Sequence, residues 1–493
     1  MNRKNEPMSG MKRSMQTKRL RRRSALRIPQ LLCALGLMWA GRAAASGEGI
    51  PDLGTEALGE GSAQIAQPQN LTALWYNPAG LAGLDGPLAQ IDFRLTWHRV
   101  GFQRLDADGT NPQGFDPIQN QANLTPLAVV PMGGFAMPLK FMPVPFVVSV
   151  GGFPFNGATG YQYPDPAALR ASGLTPEQVE QAAPQRYASI ASASKIYVAA
   201  LGAAARILPW LDLGADLQLV EAAFSTKQSV SAGVAPGEDS DLDAALSISG
   251  SDFFRLSGAF GATAHLPWGL LLGASYQLPY RFHATGNLTA DIPPTLQGLG
   301  AQLVGSAASL SFTFPWYFRA GLRLVRPVYE IELAGTIDGW STLDNIRIVP
   351  HGVSIELDGK STPIPTLILP QQLQNAYSAR LGGELHVGQL ASWGRGLTVR
   401  AGLLYETSAV PEDRQSLSLP NWARGSLSFG FSYDIKPFTL SFAYAHFVQP
   451  ERDVRDSTVK QVVALPGTAP TVVGNGDYTS QLDLFSLSVL MRF

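Results

Sequence analysis

The sequence predicts an all-β fold: a transmembrane antiparallel β-barrel of about fourteen strands, with an N-terminal hatch that plugs the lumen. Three observations support this prediction. The chain begins like an exported protein, apolar residues alternate with polar ones over strand-length segments, and short connections alternate with long ones. The pattern divides the chain into a signal peptide over residues 1–45, a hatch over 46–86 and an outer-membrane β-barrel over 87–493.

The first 45 residues have the three zones of a secretory signal peptide. A basic stretch runs to Arg27, an apolar core covers Leu31–Ala40, and small residues close the segment at Ala45, after which we expect cleavage. Ten apolar residues rise about 15 Å as a helix, roughly half of the hydrocarbon core, so this segment is too short for a transmembrane anchor.

Cleavage would change the composition of the mature chain. Losing eleven of the 37 basic and one of the 38 acidic residues leaves 26 and 37, a net charge of −11, which argues against nucleic-acid partners. The one cysteine, Cys33, is lost as well. A mature chain without a thiol suits an oxidising compartment and excludes disulfides, cysteine–zinc sites and thiol nucleophiles.

Strands are predicted wherever apolar and polar residues alternate with a period of two. In the last segment Phe485, Leu487 and Val489 share one face, and Ser486 and Ser488 share the other. One face meets lipid and the other a polar lumen, because a charge facing lipid costs about 2–4 kcal/mol at the midplane. The fourteen predicted strands are 88–100, 125–138, 144–154, 187–206, 210–224, 250–266, 269–286, 308–325, 327–339, 374–388, 396–407, 422–434, 437–447 and 480–493.

The connections alternate in length, as in outer-membrane barrels with tight periplasmic turns and long external loops. An even number of strands places both chain ends in the periplasm. The terminal Phe493 resembles the C-terminal aromatic residue that the barrel-assembly machinery reads, so that machinery is an expected partner. The predicted long loops are 101–124, 155–186, 225–249, 287–307, 340–373, 408–421 and 448–479.

Residues 46–86 do not alternate and are rich in glycine. A disordered tail is one explanation, but the segment is too apolar and too poor in charge for stable disorder. The lumen of a fourteen-strand barrel is wide enough to need a plug. A compact hatch inside the lumen is therefore the preferred interpretation.

Two motifs of this segment resemble the hatch of FadL-type long-chain fatty acid transporters, a family that includes the TodX-type aromatic-hydrocarbon transporters. They are Leu58-Gly59-x-Gly61-x-Ala63 and Trp75–Leu81, which contains Asn77, Pro78 and Ala79. The chain departs from the family at Gln64–Asn70, where an Ala-Asp-Asp run is common. Barrel residues extend the resemblance over nearly the whole mature chain: Asp338–Ser341, Val399–Tyr405, Pro411, Leu419–Pro420, Tyr444–His446 and Phe493.

The resemblance implies that the hatch seals the barrel, that external loops capture a hydrophobic ligand, and that the ligand leaves sideways into the bilayer beside a kinked third strand. In the third predicted strand Gly151, Gly152 and Pro154 would form this lateral-gate kink, because such residues interrupt a β-ladder. An ordinary bulge is the alternative, since Gly133 and Gly134 form a second glycine pair in strand two.

Anionic head groups of such a ligand would need basic partners on the lumen faces. Glu330 and Glu332 lie across the same hairpin from Arg319 and Arg323, so a structural charge ladder competes with ligand binding at these two arginines. The eighth predicted strand also places Phe312 and Phe314 on the lipid face. The candidate head-group residues are Arg319, Arg323, Arg400 and Arg424.

The long loop at 155–186 contains two segments that each begin with a capping residue and a proline, Asp165-Pro166 and Thr175-Pro176. This pattern predicts a short helical pair. The pair would either form an apolar groove for ligand or merely decorate the surface.

Uptake of hydrophobic molecules such as long-chain fatty acids is thus the expected function of a monomer in the cell outer membrane. A diffusion porin for polar solutes and an aromatic-hydrocarbon channel are the alternatives. No cofactor, metal or enzymatic activity is expected, because no nucleophile elbow or metal-ligand spacing is present. The six histidines are scattered: His98, His265, His283, His351, His386 and His446.

Overall fold

Fourteen antiparallel strands close into a barrel in the computed structural model, which describes residues 53–120, 128–155, 160–232, 237–357, 359–463 and 469–493. The first barrel strand, Leu88–Arg104, pairs along its full length with the last, Gly476–Arg492, and this pairing closes the sheet. The predicted fold class is confirmed. The predicted signal peptide and the first residues of the hatch lie outside the described residues, so cleavage after Ala45 stays a prediction.

All pairings between the strands of the described residues are antiparallel. The strands are β1 (Leu88–Arg104), β2 (Ile118–Gln119), β3 (Ala128–Pro138), β4 (Phe146–Pro154), β5 (Tyr161–Gln162), β6 (Ala191–Leu208), β7 (Leu211–Ser231), β8 (Asp243–Leu266), β9 (Leu270–Gln277), β10 (Arg281–Asp291), β11 (Gln302–Val304), β12 (Ala307–Thr313), β13 (Tyr317–Val325), β14 (Tyr329–Asp338), β15 (Asn345–Pro350), β16 (Ser354–Leu357), β17 (Lys360–Pro363), β18 (Leu367–Pro370), β19 (Ala376–His386), β20 (Leu397–Glu406), β21 (Arg424–Ile435), β22 (Phe438–Val448), β23 (Arg452–Val454) and β24 (Gly476–Arg492).

Every predicted strand overlaps one barrel strand. The seventh to tenth barrel strands are each split into two segments, β9 with β10, β12 with β13, β14 with β15, and β18 with β19. The short strands β2, β5 and β23 extend the wall into the loops. The strands β11, β16 and β17 form a small separate sheet.

The helices are short, and none of those described is long and apolar enough to span a membrane. Asp165 and Thr175 cap the two helices of the predicted pair, which confirms that pair. The helices are α1 (Thr55–Gly59), α2 (Ala73–Tyr76), α3 (Pro166–Ala171), α4 (Pro176–Ala182) and α5 (Pro294–Gly298), with 3₁₀ turns at Pro78–Leu81, Ser240–Leu242, Pro267–Gly269, Trp340–Thr342, Val387–Gln389, Ser392–Gly394 and Glu412–Arg414.

The period-two alternation separates an outer apolar face from an inner polar face, as predicted. On β24 Leu487 is 59% exposed on the outside, whereas its neighbours Ser486 and Ser488 are buried inside. On β21 the exposed Leu427 and Phe429 alternate with buried serines in the same way. The exposed leucines and phenylalanines form the surface that meets the hydrocarbon of a bilayer.

The assignment of Phe312 and Phe314 to the lipid face was wrong, because both rings lie inside the barrel. The cause is an interruption at Phe314-Pro315-Trp316, between β12 and β13. Proline has no N–H for the ladder, so the strand breaks and resumes with its alternation shifted by one residue. Phe314 and Tyr317, three positions apart, therefore both point inward.

Candidate functional site

The hatch motif Asn77-Pro78-Ala79 lies against the inner barrel wall. The buried Asn77 side chain donates through Nδ2 to the carbonyl oxygens of Ile65 and Ala262, at 3.0 and 3.2 Å. Its Oδ1 accepts a hydrogen bond from the Ala79 N–H at 3.1 Å, which caps the 3₁₀ turn that begins at Pro78. Asn77 therefore joins two segments of the hatch to each other and to β8.

The hatch packs so closely against the wall that a Cβ atom on several wall residues would overlap its backbone or side chains. A Cβ atom on Gly402 would lie 2.1 Å from the carbonyl carbon of Glu60, and one on Gly382 would lie 1.9 Å from the Glu60 oxygen. A larger side chain at either position would displace α1 and the turn after it. The glycines of this kind, here called the wall glycines, are Gly151, Gly202, Gly214, Gly261, Gly273, Gly321, Gly382 and Gly402.

Ion pairs hold the hatch at its base. Glu60 is fully buried, with Oε2 2.8 Å from Arg323 Nη1 and Oε1 3.3 Å from Arg400 Nε. Burial raises the pKa of Glu60, although both arginines favour the charged form. Glu332 adds a second connection, because its Oε1 accepts the backbone N–H groups of residues 65 and 66 at 2.6 and 2.9 Å.

An aromatic cluster occupies the lumen between the hatch and the external loops. It begins at Trp75 in α2, whose ring centroid lies 5.5 Å from Phe155 and 6.0 Å from Phe153. Phe155 in turn lies 4.5 Å from Tyr280 and 5.9 Å from Phe314. The members of this aromatic cluster are Trp75, Phe153, Phe155, Phe224, Tyr280, Phe282, Phe312, Phe314, Tyr317 and Trp340.

Arg319 is the predicted head-group residue that reaches the aromatic cluster. Its guanidinium carbon lies 4.3 Å from the ring centroid of Trp75 and 4.9 Å from that of Tyr317. The residue is 2% exposed, and neither terminal nitrogen has a hydrogen-bond partner among the described residues. Burying such donors without partners is costly. The two nitrogens form a fork that matches a carboxylate.

The three other predicted arginines are engaged in ion pairs. The expected charge ladder holds for Arg323, which stands opposite Glu332 on the neighbouring strand, but not for Arg319, which stands opposite Thr336. The closest acidic partners are Glu330 for Arg323 (2.6 Å), Glu384 for Arg400 (2.8 Å) and Glu406 for Arg424 (3.2 Å).

The wall between β3 and β4 is incomplete at the predicted kink. The ladder between these strands ends where Gly133 stands opposite Gly152. β4 continues to pair with β6 as far as Pro154, and β3 continues to pair with β1 as far as Ala128. The strand ends Ala128–Met132 and Phe153–Pro154 thus have no described pairing with each other. We call this unpaired stretch the seam.

The hatch and the aromatic cluster both border the seam. A Cβ atom on Gly151 or Gly202 would lie 2.6 Å from a methyl group of Leu74, so Leu74 occupies a notch between two wall glycines. The next residue, Trp75, contacts Phe153 at the seam itself. Movement of α2 would therefore affect the seam and the aromatic cluster together.

The external loops close over the lumen through a buried ion-pair network. Glu238 bridges Arg104 at the end of β1 and Arg186 after α4, with 2.8 Å between Glu238 and Arg186. Arg186 also binds Asp243 at 2.9 Å. Although burial disfavours the charged carboxylate, the two arginines hold the pKa of Glu238 below its ordinary value. These ion pairs connect the segment after α4 and the residues before β8 with the end of β1.

The sequence did not predict the aromatic cluster, because its rings alternate with other residues as in ordinary barrel strands. A signal was nevertheless present in Pro279 and Pro315, which interrupt two adjacent barrel strands at the same height. A proline in a central strand argues against continuous pairing. Each proline is adjacent to an inward-facing ring, since Tyr280 follows Pro279 and Phe314 precedes Pro315.

Comparison with protein families gives one match, to the outer membrane protein transport protein (OMPP1/FadL/TodX) family over residues 165–493. The match covers more than half of the chain, although it does not include the hatch motifs. A comparison with curated protein sequences gave no significant match.

Several solved structures have a similar fold, and three of them are described below. A FadL homologue of Pseudomonas aeruginosa has a TM-score of 0.68 at 16% identity, covering 91% of this chain and 100% of its own. The toluene transporter TbuX of Ralstonia pickettii has a TM-score of 0.60 at 15% identity, covering 90% and 99%. The toluene transporter TodX of P. putida has a TM-score of 0.61 at 15% identity, with the same coverage. At these identities the likeness concerns the fold.

Proposed function

Because the chain belongs to the outer membrane protein transport protein (OMPP1/FadL/TodX) family, we propose that it takes up hydrophobic molecules that carry a carboxylate, such as long-chain fatty acids. The ligand enters between the external loops, binds in the aromatic cluster and leaves sideways through the seam. The observation that carries this proposal is the buried, unpartnered guanidinium of Arg319 at the base of an apolar cluster.

The aromatic cluster suits the hydrocarbon part of such a ligand. Apolar surface gains about 25 cal/mol for each Å² removed from water, so an alkyl chain among these rings is strongly favoured. The rings already fill much of the space, however. Trp75 belongs to the hatch, whereas Phe155 and Phe314 belong to the barrel. Displacement of Trp75 is the step that makes room for ligand.

Arg319 supplies the partner for the head group. Its two free terminal nitrogens can donate in parallel to both oxygens of a carboxylate, which is the strong bidentate form of this ion pair. In a buried environment this interaction satisfies donors that otherwise have none. Arg323, Arg400 and Arg424 are excluded from this role in the proposal, because glutamates already occupy them.

Release through the seam follows from the solubility of the ligand. A hydrophobic molecule gains nothing by entering the aqueous periplasm, whereas it partitions readily from the lumen into lipid. Gly151, Gly152 and Pro154 act as the lateral-gate kink in this proposal. The motif Asn77-Pro78-Ala79 anchors the hatch beneath it, so that the lumen stays closed to the periplasm.

Uptake of neutral aromatic hydrocarbons is the second candidate function. Ten clustered rings favour it, since aromatic ligands stack edge-to-face against such side chains. Two proteins of similar fold are toluene transporters. A neutral ligand, however, would leave the guanidinium of Arg319 unsatisfied.

Ligand binding to an Arg319→Gln variant distinguishes the two candidates. Binding of oleate and of toluene to the purified protein would be measured in detergent, with Arg424→Gln as the matched control. We expect oleate affinity to fall about ten- to hundredfold in Arg319→Gln, because a charge-assisted hydrogen bond contributes about 1.5–3 kcal/mol. Arg424→Gln should bind oleate normally, since its guanidinium is paired with Glu406.

Unchanged oleate binding in Arg319→Gln would contradict the head-group role. If toluene then bound more tightly than oleate in both variants, the second candidate would replace the first.

A further inference from the structure

A cluster of metal-ligating side chains lies at the periplasmic end of the barrel, apart from the aromatic cluster. Glu330 and Glu384 stand directly opposite each other on β14 and β19, near the turns that join these strands to their neighbours. His386 is two residues beyond Glu384, so both side chains project from the same face of β19. Glu330 is more than fifty residues away from Glu384 and His386 in the sequence. No metal-ligand spacing in the sequence therefore indicated that these three residues meet.

Each of the three side chains directs one oxygen or nitrogen atom toward the other two. His386 Nε2 lies 3.6 Å from Glu330 Oε1 and 3.8 Å from Glu384 Oε1, and the three atoms all lie within 4.8 Å of one another. An ion about 2.0–2.2 Å from each of three ligands would hold them roughly 3–3.6 Å apart, so the two carboxylates would have to move by no more than about an ångström.

The remaining atoms of these side chains are already held by neighbours. Glu330 Oε2 accepts from Arg323 Nε at 2.6 Å, and Glu384 Oε2 lies 2.8 Å from Arg400 Nη2. His386 Nδ1 lies 3.4 Å from the hydroxyl of Thr398. Such outer contacts orient the ligands of protein metal sites. Glu384 Oε1 also lies 3.6 Å from Arg323 Nη2, a contact that the ion would replace.

The charge balance also calls for a cation. Like charges directly opposite each other on adjacent strands, as in the pair of Glu330 and Glu384, destabilise a sheet. The connected ion pairs contain more carboxylates than guanidinium groups. They join two arginines, Arg323 and Arg400, to five glutamates, Glu56, Glu60, Glu330, Glu332 and Glu384.

We infer that Glu330, Glu384 and His386 form a binding site for a divalent transition-metal ion at the periplasmic mouth of the barrel. Two carboxylate oxygens and one imidazole nitrogen, with further positions open to water, suit ions such as Mn²⁺ or Zn²⁺. The partial exposure of His386 gives the ion access from the periplasm. Since Arg323 and Arg400 also bind Glu60, the ion would strengthen the base of the hatch.

Metal titration of the purified full-length barrel tests this inference. The protein would be treated with EDTA, exchanged into metal-free buffer and titrated with MnCl₂ by electron paramagnetic resonance and with ZnCl₂ by calorimetry. We expect one site per chain, with affinity reduced about tenfold or more in His386→Gln. His386→Asp, which restores an oxygen ligand, should keep Mn²⁺ binding. His283→Gln, altered at an exposed histidine of β10, serves as the control.

Absence of binding to the unmodified protein, or equal affinity in His386→Gln and His283→Gln, would overturn the inference. Heat-modifiable migration on gels would verify that each variant retains a folded barrel. Loss of Mn²⁺ binding in His386→Asp while the barrel stays folded would overturn the assignment of Mn²⁺ and leave a Zn²⁺ site that requires imidazole.

Discussion

Arg319 and Arg323 stand four positions apart on β13, point into the same lumen and have opposite surroundings. Arg323 is surrounded by carboxylates and joins the base of the hatch. Arg319 lies over the ring of Trp75 with its terminal nitrogens unpartnered among the described residues. Both residues are arginines on the inward face of the same strand. Their roles differ because the hatch and the neighbouring strand bring different groups to each.

Asn77 provides a prediction at the residue scale. Asn77→Ala would leave the carbonyl oxygens of Ile65 and Ala262 without this donor, at a cost of about 1–3 kcal/mol for each buried group. We expect faster hydrogen–deuterium exchange in residues 53–86, with little change in the barrel strands. Mass spectrometry of exchanged peptides measures this effect.

The exposed Gln69 supplies the control for that prediction. It lies in the same hatch and carries the same amide group, but its side chain contacts Gln67 at the surface of the hatch. Gln69→Ala should exchange at the rate of the unmodified protein. Equal protection of the hatch in both variants would show that Asn77 does not anchor it.

At the scale of elements, the seam depends on where the pairing of β4 with β3 ends and where that of β4 with β6 ends. Strand β4 pairs with β6 over its whole length but with β3 only up to Gly152. Pro131 and Pro154, which lie in the seam, have no N–H with which to extend the ladder. The seam therefore results from the ends of β3 and β4 and not from the shape of a loop.

Gly152→Val tests lateral release at this scale. The position faces outward, and an added Cβ would meet nothing closer than the Val198 oxygen at 3.8 Å, so the variant should fold. We expect unchanged oleate binding in detergent but slower transfer of labelled oleate into liposome bilayers, because the added side chain obstructs the seam.

Gly425→Val is the matched control, since it places the same side chain on β21, where the nearest contact is 3.5 Å away. Equal transfer rates for the two valine variants would argue that the ligand leaves by another route.

At the scale of the whole molecule, the hatch determines whether the barrel is a channel. The wall glycines allow its backbone to touch the wall on several strands, and ion pairs fix its base. A polar-solute porin would instead keep an open lumen. The seated hatch therefore favours a closed barrel over an open pore.

Gly402→Val tests this closure. The new Cβ would lie 2.1 Å from the backbone of Glu60, so the base of the hatch must move away from the wall. We expect the unmodified protein and Gly425→Val to give negligible steady conductance in planar bilayers, and Gly402→Val to conduct ions. Large conductance in the unmodified protein would support the porin alternative.

Much of the architecture was predictable from the sequence, because the bilayer imposes a simple rule. Each barrel strand must present apolar residues to lipid, so alternation indicates fourteen strands, as β24 illustrates with Leu487 against Ser486 and Ser488. The rule fails where a strand leaves the bilayer or breaks at a proline. Phe312 and Phe314 were placed on the wrong face for that reason.

The sequence by itself determined the barrel, the number of strands and the presence of a hatch, since these follow from local alternation, composition and loop length. Only the tertiary structure decided that Arg319 is the unpartnered arginine and that Glu330, Glu384 and His386 meet. Those groups depend on the register between strands and on where the hatch lies. Register and docking arise from contacts between distant parts of the chain, which no local pattern records.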